Sequence, residues 1–260
     1  MQDNSIELNT ITQGNCLDLL PRVASGSVDM VLCDLPYGTT SCAWDSVLPF
    51  AALWEQYNRV LKADGVVVLT ATQPFTTTVI SSNLKDYRYN WIWVKNGITG
   101  FANAKRQPLR NYEDVCVFYR KPGVYNPQGL VRINKQVKGG KSAGGATLQG
   151  EVIGNGKGAL RSGAAYVQEF TGYPRQTLEV AQNSGPKFHP TQKPVALWEY
   201  LIRTYTNEGD TVLDNCCGSG TTGVACRNTG RNFIQFELDP KYCEIARQRL
   251  RCAGGAGVNS

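Results

Sequence analysis

The stretch Asp34-Leu35-Pro36-Tyr37 follows an apolar run and carries groups that could act on a planar amine. The lone pair of such an amine is delocalised into its ring. Two acceptors aimed at the amino hydrogens, the Asp34 carboxylate and the Leu35 carbonyl, would favour a nucleophilic geometry and stabilise positive charge on the nitrogen. Pro36 would stiffen the turn, and Tyr37 offers a flat face for stacking. A turn without a chemical role is the alternative.

A second candidate site follows another apolar run, in the glycine-rich stretch 214–220 (DNCCGSG). Glycines let a backbone pass close to a ligand and begin a helix. Glu237 follows one predicted strand later, where a carboxylate can accept hydrogen bonds from both hydroxyls of a ribose. These features predict a nucleoside site, with a tight turn and a surface carboxylate as the alternative. The candidate ligand residues here are Asp214, Cys216, Gly218, Gly220, Thr221 and Glu237.

Alternating strands and helices are predicted to position both sites. Val28 to Cys33 and Gly65 to Thr72 are typical of buried strands, and residues 50–61 between them have helical periodicity. This β-α-β unit delivers Asp34 at the carboxyl end of a strand, where ligands bind in open α/β sheets. Further predicted elements are strands 115–119, 211–213 and 232–236 and helices 194–204 and 221–228.

The composition limits the classes of protein. The chain has 260 residues, is 42% hydrophobic and carries a net charge of +6, which suits one sizeable domain and a polyanionic partner. Nine cysteines without a C-x-x-C pair and a single histidine argue against a metal site or a triad hydrolase. The N-terminal residues lack a signal-peptide pattern, and no run could span a membrane. We therefore expect reduced thiols, no metal, no membrane partner and a cytoplasmic location.

The composition changes after the predicted strand 115–119. Residues 121–187 contain nine Lys or Arg against three Glu, with many glycines and little apolar periodicity. This pattern predicts a basic, loop-rich insertion. The predicted divisions are a catalytic half at 1–122, the insertion at 123–187 and a cofactor-binding half at 188–260.

Together these motifs resemble the β group of S-adenosylmethionine-dependent DNA amino-methyltransferases, whose motifs are permuted. In that group a D-P-P-Y segment comes first, a target-recognition region next and the cofactor motif last, which is the order here. The chain also resembles the orphan methyltransferases of phages and prophages. The segments that carry the resemblance are 34–37 (DLPY), 14–20 (GNCLDLL), 93–96 (WVKN) with 112–113 (YE), 189–194 (HPTQKP) and 214–222 (DNCCGSGTT).

The resemblance implies an α/β fold of the Rossmann-like class I methyltransferase type, circularly permuted. We expect a mostly parallel sheet with helices on both faces and a small target-recognition insertion. It also implies S-adenosylmethionine as cofactor and DNA as partner, with a homodimer as a further candidate assembly. Aspartate at the first position of the quartet is typical of adenine-N6 enzymes, and serine of cytosine-N4 enzymes. Asp34 therefore favours methyl transfer to the N6 amine of a flipped adenine, with residues 34–37 catalytic.

The segments 189–194 (HPTQKP) and 14–20 (GNCLDLL) supply further candidate cofactor residues. Thr191 and Lys193 offer a hydroxyl and an ammonium to the carboxylate of the cofactor's methionine part. A lone histidine beside a proline is more often structural than a ligand. His189 is a candidate only because it belongs to the HPTQKP segment. Asn15 stands where family members often have an aspartate that accepts the cofactor's adenine amino group, and Cys16 follows it.

Three further residues depart from the family pattern. Leu35 replaces the first proline of the quartet, but the position is expected to act through its carbonyl. Cys216 stands where the cofactor motif usually has phenylalanine, which removes an aromatic contact. Tyr112 replaces a common histidine before Glu113. None of these changes removes an indispensable group.

Residues that could touch DNA lie in two regions. Trp44, in the segment 39–45, is predicted to form a mobile lip of the base pocket, with a buried core tryptophan as the alternative. Sequence recognition is expected in the basic insertion, through contacts to phosphates or guanine edges, unless its lysines form a solvated loop. Because the insertion is short and glycine-rich, we expect short or relaxed target specificity. The candidates are Lys135, Lys138, Lys141, Lys157, Arg161 and Arg175.

Other functions are weighed against this interpretation. A cytosine-N4 enzyme is the nearest alternative. RNA or protein-glutamine methyltransferases with a similar quartet usually carry the cofactor motif first. A non-enzymatic DNA-binding relic would be expected to lose Asp34, Tyr37 or the glycines, and a nicotinamide dehydrogenase leaves the quartet unexplained.

Overall fold

A computed structural model describes residues 6–38, 46–137, 166–182, 188–189 and 192–253. The strands among them are β1 (Thr10–Gln13), β2 (Val28–Cys33), β3 (Leu61–Ala71), β4 (Tyr87–Thr99), β5 (Arg110–Tyr119), β6 (Val131–Val137), β7 (Tyr166–Thr171), β8 (Thr177–Glu179), β9 (Thr211–Asp214) and β10 (Asn232–Glu237). The helices are α1 (Cys16–Leu19), α2 (Phe50–Val60), α3 (Phe75–Ser82), α4 (Val195–Tyr205), α5 (Thr221–Thr229) and α6 (Pro240–Ala253). Short 3-10 turns occur at Leu20–Arg22 and Phe101–Asn103.

The main sheet has eight strands in the order β1-β10-β9-β2-β3-β5-β4-β8. Every pairing is parallel except those of β5, which runs antiparallel to both β3 and β4. Because β5 is antiparallel to both of its neighbours, β3 and β4 run in the same direction, which is also the direction of β2. The carboxyl ends of β1, β2, β3, β4, β8, β9 and β10 therefore meet at one edge of the sheet, which is where ligands bind in such folds.

Helices cover both faces of this sheet. On one face, α4, α5 and α6 bury Trp198, Ala225 and Leu250 against strand residues such as Met30. On the other face, α1, α2 and α3 bury residues such as Tyr57 against Val31. Five of the six side chains of β2 are buried, as expected for a strand covered on both sides. The predicted α/β fold, with a mostly parallel sheet and helices on both faces, is confirmed. Circular permutation stays a prediction.

The described residues fall into two compact units, one formed by Met1–Asn126 with Arg175–Ser260 and the other by Pro127–Pro174. The second unit contains the antiparallel pair β6 and β7, so its described part is a two-stranded ribbon. The predicted insertion at 123–187 extends further than this unit. In particular, β8 pairs with β4 in the main sheet. No helix among the described residues is long and apolar enough to cross a membrane.

Candidate active site

The two predicted sites line a single cavity at the carboxyl edge of the main sheet. Its volume is about 500 Å³, within the usual range for small-molecule sites. One end is lined by the quartet 34–37 with Lys95 and Glu113, and the other by Asn15, the glycine-rich turn and Glu237. The sheet explains this convergence, since β2 delivers the quartet, β9 the turn and β10 Glu237, all in one direction.

Asp34 is fixed by three hydrogen bonds at its carboxylate. Its Oδ1 atom accepts from the Tyr37 hydroxyl at 2.7 Å and from the Thr70 hydroxyl. Its Oδ2 atom accepts from the ammonium of Lys193. An ionised carboxylate has about four acceptor positions, so the part of the chain that the structure describes occupies three of them. One position is left for a donor in the cavity.

Lys193 belongs to a row of alternating charges that runs from Lys95 to Asp34. Lys95 donates to Oε1 of Glu113, and Lys193 lies 3.4 Å from Oε2 of Glu113, an ion pair without hydrogen-bond geometry. Burial lowers the pKa of Lys193, but the carboxylates of Asp34 and Glu113 more than offset this and raise it above the usual lysine value. Lys193 is therefore a cation that faces the quartet, whereas the sequence assigned it to the carboxylate of the cofactor.

The rest of the quartet is packed against the apolar face formed by α2 and α3. The ring of Tyr37 stacks on Phe75 with centroids 4.8 Å apart, and the Lys193 ammonium lies 5.8 Å from its centroid. Burial, with a smaller contribution from Asp34, raises the pKa of the Tyr37 phenol, so it stays a hydrogen-bond donor. Leu35 is buried, and Pro36 lines the cavity beside it. The predicted aromatic face and stiff turn are thus both next to Asp34.

The glycine-rich turn adopts a shape that requires glycine. Gly218 and Gly220 have φ angles of +53° and +77°, in the left-handed region that other residues rarely occupy. A Cβ atom at Gly220 would lie 2.8 Å from that of Ala246 in α6, so the turn also packs too closely for a side chain. Thr221 then begins α5 and lines the cavity.

Asp214 lies under this turn. Its Oδ1 atom accepts from the backbone N–H of Cys216 at 3.2 Å, and its Oδ2 atom accepts from the Thr222 hydroxyl. Burial raises the pKa of its carboxyl to about 6. These contacts show Asp214 bracing the turn.

Glu237 braces the turn from the end of β10. Its Oε2 atom accepts from the N–H of Gly218 at 2.7 Å and its Oε1 atom from the N–H of Asp239 at 2.9 Å. Burial raises its pKa. Each oxygen keeps a further lone pair, so the carboxylate can still accept from ribose hydroxyls as predicted.

Asn15 and Cys16 lie at the start of α1, on the same side of the cavity. The Asn15 side chain accepts from the N–H of Leu17 at 3.0 Å and caps α1. A hydrogen bond with Cys216 and burial raise the pKa of the Cys16 thiol, which stays protonated. Cys216, which replaces the family's phenylalanine, thus contacts a second thiol there. Among the described residues, no cluster of His, Cys, Asp and Glu could hold a metal ion.

His189 lines the cavity beside Gly218 of the glycine-rich turn. Its ring lies 4.2 Å from that of Tyr242 in α6, and burial lowers its pKa. Gln192 ties the same segment to the turn, since its Oε1 atom accepts from the Ser219 hydroxyl at 3.4 Å. Thr191 falls outside the described residues.

Sequence reasoning missed three polar residues that complete the quartet's surroundings: Thr70, Lys95 and Glu113. Thr70 is fully buried at the end of β3, where a threonine in an apolar strand gives little sign of a polar partner. Lys95 and Glu113 were noticed only as parts of family-like segments. A lysine and a glutamate near the ends of two adjacent strands were the available signal.

The candidate DNA-binding residues are only partly described. Lys135 on β6 and Arg175 just before β8 are exposed. Within the described part of the main unit, Arg175 is not among the residues that line the cavity. The others, Trp44, Lys138, Lys141, Lys157 and Arg161, lie outside the described residues.

A Rossmann-like sheet with both a nucleoside-type turn and an acidic quartet at one edge defines a class of group-transfer enzymes that bind a nucleotide-like cofactor. Comparison with known proteins narrows this class. A family model described as DNA methylase, for N6 and N4 enzymes, matches residues 28–248. The chain belongs to this DNA methylase family.

Individual relatives agree with this assignment. Type II methyltransferase M1.MboII of Moraxella bovis is 30% identical over 256 residues, covering 93% of this chain and 96% of the relative. The solved structure of an M1.HpyAVI–SAM complex matches with a TM-score of 0.61 at 22% identity, covering 93% and 98% of the two chains. PvuII DNA methyltransferase, a cytosine-N4-specific enzyme, matches with a TM-score of 0.66 at 16% identity, covering 94% and 87%.

These findings confirm the predicted class of enzyme, a methyltransferase with DNA as its substrate. The predicted cofactor, S-adenosylmethionine, is confirmed by membership of this family, whose enzymes depend on it. Methylation of adenine N6 remains the main interpretation, within a family that also includes cytosine-N4 enzymes.

Proposed function

We propose that this protein transfers a methyl group from S-adenosylmethionine to the N6 amine of an adenine flipped out of DNA. The observation that carries the proposal is Asp34, which lines the cavity at the carboxyl end of β2 and keeps one acceptor position that the described residues do not fill. That position suits an amino hydrogen of an extruded base. A second amino hydrogen would be accepted by the Leu35 carbonyl.

The quartet and its neighbours prepare the amine for attack. Accepting hydrogen bonds from both amino hydrogens moves the nitrogen toward a tetrahedral, nucleophilic geometry and stabilises its developing positive charge. Thr70 and Tyr37 fix the orientation of the Asp34 carboxylate, so no reorganisation is needed during the reaction. Phe75 supports the Tyr37 ring from one side, and the base would stack on the remaining aromatic surface.

The opposite end of the cavity fits a nucleoside-containing cofactor. It combines a buried carboxylate at Glu237, glycine backbone at Gly218 and a polar side chain at Asn15. In the proposed arrangement Glu237 accepts from the ribose hydroxyls and Asn15 faces the adenine amino group. When bound, S-adenosylmethionine supplies an electrophilic methyl group on a sulfonium. His189, Thr191 and the turn would hold its amino-acid part.

Lys193 is proposed to act at the amine end of the cavity. Its ammonium contacts Asp34 and is held there by Glu113. This ammonium and the hydroxyls of Thr70 and Tyr37 together hold the Asp34 carboxylate in one orientation, which is what an acceptor of amino hydrogens requires. The earlier assignment of Lys193 to the cofactor carboxylate is the competing role.

Target recognition is proposed to be short or relaxed. The exposed Lys135 on β6 suits contact with the phosphate backbone of DNA. Phosphate contacts carry no sequence information directly. Lys138 and Lys141, which lie outside the described residues, are proposed as further phosphate contacts. Mapping methylated adenines on genomic DNA by single-molecule sequencing tests the idea, and modification confined to one long, strict motif would contradict it. A homodimer and a cytoplasmic location stay predictions.

Incubation with methyl-labelled S-adenosylmethionine and DNA, RNA or protein tests the proposed substrate class. We expect label in DNA only, and loss of that label in Asp34→Ala. Label in RNA or protein in place of DNA would overturn the proposed substrate.

A further inference from the structure

The turn between β4 and β5 has a surface that the cavity does not use. We call residues 97–112 the hairpin tip. This stretch contains Lys105, Arg106 and Arg110 and has no Asp or Glu. Every residue from 101 to 108 is exposed, and the Phe101 side chain is 64% exposed. Basic and aromatic side chains on one exposed turn are the composition that nucleic acids recognise.

The sheet places the hairpin tip beside the candidate active site. Because β4 runs parallel to β2 and β3, its carboxyl end lies at the edge that carries Asp34. Thr99, only two residues before Phe101, lines the cavity together with Lys95. A duplex whose base entered this cavity would therefore pass next to the hairpin tip.

The local backbone presents Phe101 to solvent. Gly100, with a φ angle of +95°, ends the strand and caps the 3-10 turn Phe101–Asn103. The N–H of Asn103 donates to the Gly100 carbonyl at 2.9 Å, and the N–H of Arg106 donates to the Asn103 carbonyl at 2.8 Å. The turn is thus hydrogen-bonded within itself, and the phenyl ring projects from an ordered support. A single exposed apolar residue is ordinary, but Phe101 is exposed beside three cations and next to the cavity.

We propose that the hairpin tip binds duplex DNA next to the target base, with Phe101 as a wedge and Lys105, Arg106 and Arg110 on phosphates. An apolar side chain inserted at a base step compensates for stacking lost when a base leaves the helix. The cations neutralise the phosphates that flank this opening. This inference rests on the base extrusion proposed above.

The test uses two variants of the hairpin tip, each with a matched control at the opposite edge of the sheet. Phe101→Ala is compared with Leu84→Ala, since Leu84 is 68% exposed and precedes β4 at the opposite edge of the sheet. The double variant Lys105→Ala/Arg106→Ala is compared with Lys85→Ala/Lys121→Ala, which removes two exposed lysines at that opposite edge. Methyl transfer is measured on unmethylated plasmid DNA as duplex and after heat denaturation. Binding to a mixed-sequence duplex is measured by fluorescence anisotropy over a range of salt.

Phe101→Ala is expected to lose about tenfold or more of its rate on duplex DNA but little on denatured DNA, because single strands need no wedge. The double variant Lys105→Ala/Arg106→Ala should bind duplex DNA more weakly. The slope of log K against log salt concentration should become shallower by about two. Both controls should resemble the wild type. An equal loss on both DNA forms, no loss at all, or a change of oligomeric state with unchanged DNA binding would overturn the inference. A wild-type protein that methylates neither DNA form would instead count against the proposed function.

Discussion

Lys193 donates a hydrogen bond to the carboxylate of Asp34, although 159 residues separate them in the sequence. The pair joins the segment 189–194 (HPTQKP) to the quartet 34–37. It gives the buried Lys193 a second carboxylate besides Glu113. A buried lysine between two carboxylates keeps its charge, and the charged ammonium holds the Asp34 carboxylate in place.

Replacement of Lys193 should therefore impair the reaction more than cofactor binding. We predict that Lys193→Met lowers kcat by about tenfold or more while the Kd for S-adenosylmethionine changes little, and that Lys193→Arg restores part of the rate. Single-turnover kinetics and calorimetry separate the two effects. A large loss of cofactor affinity with an unchanged single-turnover rate would instead indicate that Lys193 binds the carboxylate of the cofactor.

Asp34→Ala should abolish most methyl transfer and retain cofactor binding, because Asp34 faces the amine end of the cavity. Tyr37→Ala should behave similarly, since it removes both a stacking face and a hydrogen bond to Asp34. Cofactor affinity by calorimetry is the internal control for folding. Near-normal turnover of the Asp34 variant would exclude the residue from the chemistry.

Glu237→Ala should weaken binding of S-adenosylmethionine, with about 1.4 kcal/mol lost for each tenfold change in Kd. The same change removes hydrogen bonds to the N–H groups of Gly218 and Asp239, so the thermal midpoint should fall as well. Glu237→Gln keeps one carboxamide oxygen and should lose less cofactor affinity and less thermal stability than Glu237→Ala. If calorimetry gives the wild-type Kd for both variants, the ribose lies elsewhere.

The buried Asp214 should make stability depend on pH. Burial raises its pKa to about 6 in the folded protein, so the folded state holds the proton more tightly than the unfolded chain does. The resulting stabilisation is complete below about pH 4 and is lost as pH rises through about 6. In the wild type, the free energy of unfolding should decrease over this pH range. We predict that this decrease is smaller in Asp214→Asn, which cannot ionise, by at most about 3 kcal/mol.

Urea unfolding at several pH values checks this prediction. Asp18→Asn, at an exposed carboxylate, is the matched control and should follow the wild-type profile. If Asp214→Asn shows the same dependence on pH as the wild type, another buried group is responsible.

The central elements of the fold could be predicted because their signals are local. The apolar run of β2 matches the predicted strand at Val28–Cys33, and α2 ends at Val60, one residue before its predicted end. The strand β4 was not predicted from its pattern, because many of its side chains are half-buried and follow no clean alternation. The ribbon of β6 and β7 was missed, since residues 131–136 are exposed and Lys135 interrupts the short alternation of Val131, Ile133 and Val137.

The two ends of the site could be predicted for a similar reason. The quartet and the glycine-rich turn each hold their chemistry within a few consecutive residues. The ion pairs of Lys193 with Asp34 and Glu113 depend on how β2, β5 and the segment before α4 converge, and no local pattern encodes that convergence.

The most direct test of the account is the identity of the methylated base. Unmethylated DNA is incubated with the protein and S-adenosylmethionine, digested to nucleosides and analysed by mass spectrometry, with Asp34→Ala as the control. The account predicts N6-methyldeoxyadenosine from the wild type and a strongly reduced amount from the variant. N4-methyldeoxycytidine, or no modified nucleoside, would contradict it.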